Sequence, residues 1–245
     1  MIEMSIQERY SNKPVAHGLS YATVADFVDS YENLHSLATA AADLKDVQRP
    51  WMLKAILSTI QIGANLCEIG AGEPLVAAML AKIGYRVTIV DPYDGSGNGP
   101  KAVNIFRTAY PNIRIIDKQF STNLLELTPG ELDAVYSISV LEHLDVAALK
   151  NVIDGSKKFL RKGGRHIHAI DFVAAGAGTE HHRQMLDIFF SYFNIPKNEV
   201  DALLEKAMSG TETYFLSAES HNRWRGSIPY ESFPMRKVIS VQFIH

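Results

Sequence analysis

The stretch Asn65-Leu66-Cys67-Glu68-Ile69-Gly70-Ala71-Gly72-Glu73-Pro74 constrains the fold more than any other, because it reads as a short apolar strand that breaks into a glycine turn and opens a helix. A residue without a Cβ lets the backbone turn sharply and lets a ligand approach it closely, which is what Gly70 and Gly72 supply. Pro74 suits a helix start, where its missing N–H costs nothing. Two phosphate-binding readings fail on the residues. A dinucleotide fingerprint wants a third glycine where Leu75 stands, and a phosphate-binding loop wants a Gly-Lys-Ser/Thr ending that is absent. What remains is an acid, Glu68, two positions before a Gly-x-Gly turn that suits a nucleoside without a pyrophosphate.

Two further segments join it. The next strand, Arg86 to Val90, ends in Asp91, twenty-one positions after Gly70. A ribose-binding carboxylate belongs about there, and it can accept charge-assisted hydrogen bonds from both ribose hydroxyls. The competing reading of Asp91 is a turn residue before Pro92. The third segment, Leu132 to Leu144, is an apolar strand followed by a helix start carrying Glu142 and His143. Strands of four to seven residues alternate with helical patterns along this region, which predicts right-handed βαβ units and a parallel sheet. Helices are expected at 24–42, 50–60, 74–83, 101–110 and 146–160, the last closing in a basic turn with Gly163 and Gly164 beyond it. Further strands are expected at 113–116, 165–170, 213–216 and 237–243. The apolar stripe Phe27, Tyr31, Leu34 and Leu37 has helical spacing and reads as core packing.

The acid-x-Gly-x-Gly turn, the acid after the second strand and the Ser139-Val140-Leu141-Glu142-His143-Leu144 run resemble the class I S-adenosylmethionine-dependent methyltransferases of the small-molecule type, over about Asn65 to Asp171. The resemblance implies an α/β, Rossmann-like, mostly parallel seven-stranded sheet with helices on both faces and an antiparallel last strand. Extra N-terminal helices and an insert after the fifth strand complete it. A single domain is expected over 1–245, with an N-terminal helical cap (1–50), a cofactor-binding core (50–171), an acceptor-side helical insert (172–212) and closing strands (213–245). The implied cofactor is S-adenosylmethionine. Glu68, Gly70, Ala71 and Gly72 would line its methionine and ribose part, Asp91 would take the ribose hydroxyls, Pro92 and Tyr93 would lie near the adenine, and Ser139 and Leu141 would border the sulfonium. The family often has an acid after the third strand that binds the adenine amino group. Here Phe120 and Ser121 stand there, with Asp117 in a shifted loop as the alternative to Phe120 packing on the ring.

Methyl transfer to a hydroxyl needs a general base, for which histidine has a suitable pKa. The candidates are His143 after the fourth strand and His182 in the insert, with Asp171 at the end of the fifth strand to orient one of them. No metal site is expected, because adjacent residues such as His181 and His182 point in different directions on a helix. His166 and His168 alternate along a strand and so share one face, which reads as packing beneath a covering helix. Gly95 to Pro100 has no Lys-Ser/Thr partner and reads as a loop. Asp91-Pro92-Tyr93 resembles an amide-methylating motif that belongs after the fourth strand, so it is discounted.

With 47% hydrophobic and 21% charged residues, the 245-residue chain has ample material for a core. A net charge of −3 disfavours nucleic acid as a partner and favours a small-molecule acceptor. The one cysteine, Cys67, falls in a predicted buried strand, and no run reaches the ~18 apolar residues of a membrane span. A cytoplasmic protein with no membrane partner is expected. The leading function is methyl transfer to an oxygen or nitrogen of a small molecule. A methyltransferase-like protein that binds the cofactor as a non-catalytic partner or sensor is the alternative, and an NAD-dependent oxidoreductase is disfavoured by Leu75.

Overall fold

A computed structural model describes residues 2–39, 43–96, 99–217 and 236–245. Its elements run α1 Ile2–Tyr10, β1 Gly18–Tyr21, α2 Val24–Asn33, α3 Lys45–Thr59, β2 Asn65–Ile69, α4 Leu75–Ile83, β3 Arg86–Val90 and α5 Val103–Ala109. They continue with β4 Arg114–Ile116, β5 Leu132–Ile138, α6 Val146–Phe159, β6 Leu160–Ala175, α7 Thr179–Ser191, α8 Lys197–Ser209 and β7 Lys237–Ile244. The strands form one seven-stranded sheet in the order β1-β7-β6-β5-β2-β3-β4, with helices around it. β2 pairs in parallel with both β3 and β5, and β3 with β4. The sheet is mixed: His166 and His245 exchange reciprocal backbone hydrogen bonds at 2.9 Å, which only antiparallel neighbours can do. This is the Rossmann-like α/β fold expected from the sequence.

Local chemistry sets several boundaries. Thr23 and Asp26 form a reciprocal capping box at the start of α2, with Asp26 Oδ2 accepting from Thr23 N at 2.9 Å. Asp145 caps α6 by accepting from Ala148 N at 2.7 Å. Gly84, at φ 116°, ends α4 in the left-handed conformation that β-carbons resist.

Three elements differ from the sequence expectation. α2 stops at Asn33, well short of 42, and Ala42 lies outside the described residues. Its predicted stripe splits accordingly: Leu34 and Leu37 are buried in the turns beyond the helix, while Tyr31 is 66% exposed. β6 begins directly after α6, so the basic segment with Gly163 is strand rather than a helix end, and Asp171 lies inside the strand instead of closing it. Residues 213–216 make two isolated antiparallel bridges, Thr23 with Thr213 and Phe215 with Ile239, and the seventh strand is β1. The loop expected to carry Trp224 and Arg225 lies outside the described residues.

The chain divides into two compact units. The first comprises Met1–Val15, Met52–His168 and Ile244–His245, and holds the parallel strands β2 to β5. Cys67 sits wholly buried at its centre, where loss of solvation and the neighbouring Glu68 push its thiol well up. A thiol held protonated is a poor nucleophile. A thiol-specific reagent is therefore expected to leave Cys67 unmodified at pH 8 in the native protein and to label it within minutes in denaturant. Native-state labelling at the denatured rate would refute its burial. The second unit, Ala16–Trp51 and Ala169–Phe243, is packed around aromatic rings: Phe189 and Phe190 of α7 and Phe193 just beyond it surround Phe243 of β7, at centroid distances of 5.7, 5.2 and 4.9 Å. Edge-to-face pairs at this spacing are favoured by the ring quadrupole. Among the described residues no helix is long and apolar enough to cross a membrane.

Candidate functional site

β2 is flanked by β3 on one side and β5 on the other, so the direction of winding reverses at β2. In open α/β sheets ligands bind beyond the carboxyl ends of the strands at such a reversal. The turn after β2 begins with Gly70, at φ 65°, whose N–H donates to the Val90 carbonyl at 3.0 Å. A Cβ on Gly70 would lie 2.7 Å from Val140 Cγ2, so glycine is required here by both conformation and space. Gly72, at φ 54°, differs: an added Cβ would meet only Pro100 Cδ, at 3.8 Å. Its Cα therefore faces the room that a ligand cradle needs.

Asp91 ties the turn to β3. Its Oδ2 accepts from Gly72 N at 2.9 Å and its Oδ1 from Tyr93 N at 2.8 Å. Each carboxylate oxygen has a second lone pair for a ligand hydroxyl. Tyr93 is buried at φ 47°, and its hydroxyl has no hydrogen-bond partner. Burial and the nearby Asp91 and Glu68 carboxylates push its pKa well up, so it stays protonated. Glu68 is itself buried and accepts from the Tyr136 hydroxyl at 2.9 Å. Burial and that carboxylate likewise push the Tyr136 pKa far up.

After β5 the chain passes through Ser139, at φ 51°, to a single 3-10 turn, Leu141–His143, in which Leu141 is buried and His143 exposed. Ala71, Pro92 and Ser139 are half-buried. Phe120 is buried with its ring edge on Phe159, centroids 6.0 Å apart. It also lies against Gly155 in α6, where an added Cβ would come within 2.8 Å of Phe120 Cε1. Asp117 is exposed and pairs with Arg107 at 2.8 Å.

A family described as a methyltransferase domain matches residues 67–168, which span the glycine turn, Asp91 and the turn after β5. Residues 67–168 are a class I methyltransferase domain. Similar solved structures share this fold. A geranyl diphosphate methyltransferase in complex with geranyl diphosphate and sinefungin is 12% identical at a TM-score of 0.50, covering 99% of this chain and 98% of its own. A TehB-like S-adenosylmethionine-dependent methyltransferase from Corynebacterium glutamicum is 14% identical at a TM-score of 0.46, covering 89% and 98%. The glycopeptide N-methyltransferase MtfA in complex with S-adenosyl-L-methionine is 15% identical at 0.43, covering 54% and 56%, so the chain spans about half the length of that protein. No curated protein matches the chain in sequence.

Outside the glycine turn, the candidate bases of this methyltransferase occupy different settings. His182, half-buried near the start of α7, has its Nδ1 2.9 Å from the Asp171 backbone carbonyl, and the Asp171 carboxylate accepts from Gln48 Nε2 at 2.7 Å. A carbonyl can only accept, so Nδ1 carries the proton and Nε2 presents a lone pair. Burial lowers the His182 pKa, and its contact with Asp171 opposes this in part. His166 and His168 are both buried, their rings 5.8 Å apart on one face of β6, and Ser137 Oγ lies 2.8 Å from His168 Nδ1. Among the described residues no group of three or more metal-ligating side chains comes together.

Sequence reasoning missed the Val140 wedge against Gly70 and the Tyr136 hydroxyl on Glu68. The parallel register pairs Glu68 with Tyr136, and neither residue's own segment signals that pairing.

Proposed function

We propose that this methyltransferase domain holds S-adenosylmethionine at the carboxyl ends of β2, β3 and β5 and passes its methyl group to an oxygen or nitrogen of a small molecule. The observation that carries the reading is Asp91: both its oxygens are aimed by backbone N–H groups of the glycine turn and the β3 end, each with a lone pair left for a ribose hydroxyl. Glu68, Gly70, Ala71 and Gly72 line the methionine and ribose part, with Gly72 open toward it. Pro92 flanks the adenine, and Ser139 and Leu141 border the sulfur. Phe120, whose ring is packed on α6, anchors the loop after β4 instead of stacking on the adenine.

The bound donor supplies a methyl group that is already electrophilic, so what the protein must add is alignment and the exclusion of water. A hydroxyl acceptor also needs its proton removed. His182 is suited to that role, because the Asp171 carbonyl fixes its tautomer and its lowered pKa keeps it neutral at pH 7. His143 is the second candidate base.

Calorimetry with S-adenosylmethionine and S-adenosylhomocysteine is expected to show binding by the native protein. Asp91→Ala removes charge-assisted bonds worth about 1.5–3 kcal/mol each, so affinity should fall at least about tenfold. No binding of either ligand by the native protein would sink the reading.

A further inference from the structure

One face of the second unit concentrates polar groups whose hydrogen-bonding capacity is not met. Ala22, Val173, Tyr214 and Val238 pack in one buried cluster with Leu44 and Val47 of the α3 region. Side chains two apart on a strand share a face, so Ser240 and Gln242 of β7 and Asp171 of β6 lie on the same side as Val238 and Val173. The Ser20 hydroxyl, two before Ala22, confirms the register by donating to Gln242 Oε1 at 3.2 Å. This layer is closed and almost dry: Ser240 and Gln242 are 0% and 2% exposed, and Tyr214 is 9% exposed.

Three polar atoms in it are buried without a hydrogen-bond partner: the Tyr214 hydroxyl, Ser240 Oγ and Gln242 Nε2. An orphaned buried polar group costs about 1–3 kcal/mol, so three in one layer call for something that satisfies them. The acids beside them say what. Asp43 and Asp46 are buried, and their charges, Asp46 first, act with burial to push the Tyr214 pKa up, so both carboxylates lie within electrostatic reach of its ring. One Asp43 oxygen accepts from Lys45 N at 3.0 Å, and Asp46 sits in the first turn of α3, which accounts for acids at this helix end. It does not account for a phenol that reaches toward two carboxylates and bonds to neither. A cationic nitrogen fits between them, donating to the carboxylates and to the phenol oxygen, while Ser240 and Gln242 supply donors for a neighbouring oxygen.

We propose that Asp43, Asp46, Tyr214, Ser240 and Gln242 form a binding site for the ammonium group of a small hydroxylated amine. As the site of the methyl acceptor, it rests on the transfer reading above; as an ammonium site, it stands independently of that reading.

Ethanolamine is the probe, with uncharged ethylene glycol and anionic glycolate as controls, read by calorimetry and thermal unfolding. Ethanolamine is expected to bind and raise the unfolding temperature while both controls leave it unchanged. Asp46→Asn should weaken ethanolamine at least tenfold. Tyr214→Phe should weaken it too, yet raise the unfolding temperature of the ligand-free protein by removing an orphaned hydroxyl, which a merely structural tyrosine would not do. The site is refuted if ethanolamine acts no differently from ethylene glycol, or if both variants bind it as the native protein does. S-adenosylhomocysteine binding in the same preparations separates the two ideas. If it is retained while ethanolamine fails, this site falls and the transfer reading stands; if it is absent while ethanolamine binds, the reverse holds.

Discussion

Gly70→Ala is expected to abolish binding of S-adenosylhomocysteine and to lower the unfolding free energy by a few kcal/mol. Two costs combine. A left-handed backbone carrying a Cβ costs about 1–2 kcal/mol, and forcing that Cβ to within 2.7 Å of Val140 Cγ2 adds about 1–3 kcal/mol of overpacking. They separate in a double-mutant cycle. Val140→Ala removes the methyl groups that clash, so Gly70→Ala/Val140→Ala should recover the steric part and keep the conformational part, with a coupling of about 1 kcal/mol or more. Strict additivity in urea unfolding would show that Val140 does not wedge the turn.

Acidification is expected to destabilise the first unit through its buried histidines. Burial, followed by the charge of His245, lowers the His166 pKa from 6.5 to about 4, and burial takes His168 lower still. The folded state therefore binds fewer protons than the unfolded chain between pH 6.5 and 4. Stability is fully present above that window and is lost as pH falls through it. From pH 7 to 4, His166 alone should contribute a loss of about 3 kcal/mol. Urea denaturation at pH 7 and pH 4.5 measures it. His166→Gln, which cannot be protonated there, should flatten the dependence, and an unchanged slope would refute the assignment.

The site was legible where local sequence dictates local geometry. Gly70, Gly72 and Asp91 are fixed by a turn and by a strand end, both short-range properties, and the structure joins them through the Gly72 N to Asp91 Oδ2 bond. What was not legible depends on partners distant in sequence. Tyr136 meets Glu68 across 68 residues. The seventh strand was expected at 213–216, where Tyr214 and Phe215 favour extended chain, but β1 fills the place, and pairing across more than 200 residues leaves no periodic signal in a four-residue strand. The helix end expected at Gly163 shows a similar limit. A basic turn followed by glycine fits a C-cap, yet Leu160 already takes extended dihedrals, φ −67° and ψ 137°, and the glycine serves within a strand.

Gly155 gives the adenine-side loop an unusual form of control. Glycine inside a helix costs about 1 kcal/mol against alanine, and α6 bears that cost at the one point where Phe120 comes to rest. The loop after β4 is thus located by a notch in a helix about thirty-five residues further along the chain. A side chain placed in the notch would displace the loop from behind, changing how the nucleoside end is gripped with every donor-facing residue still intact. Selectivity among donor analogues is therefore adjustable from a position that no donor touches.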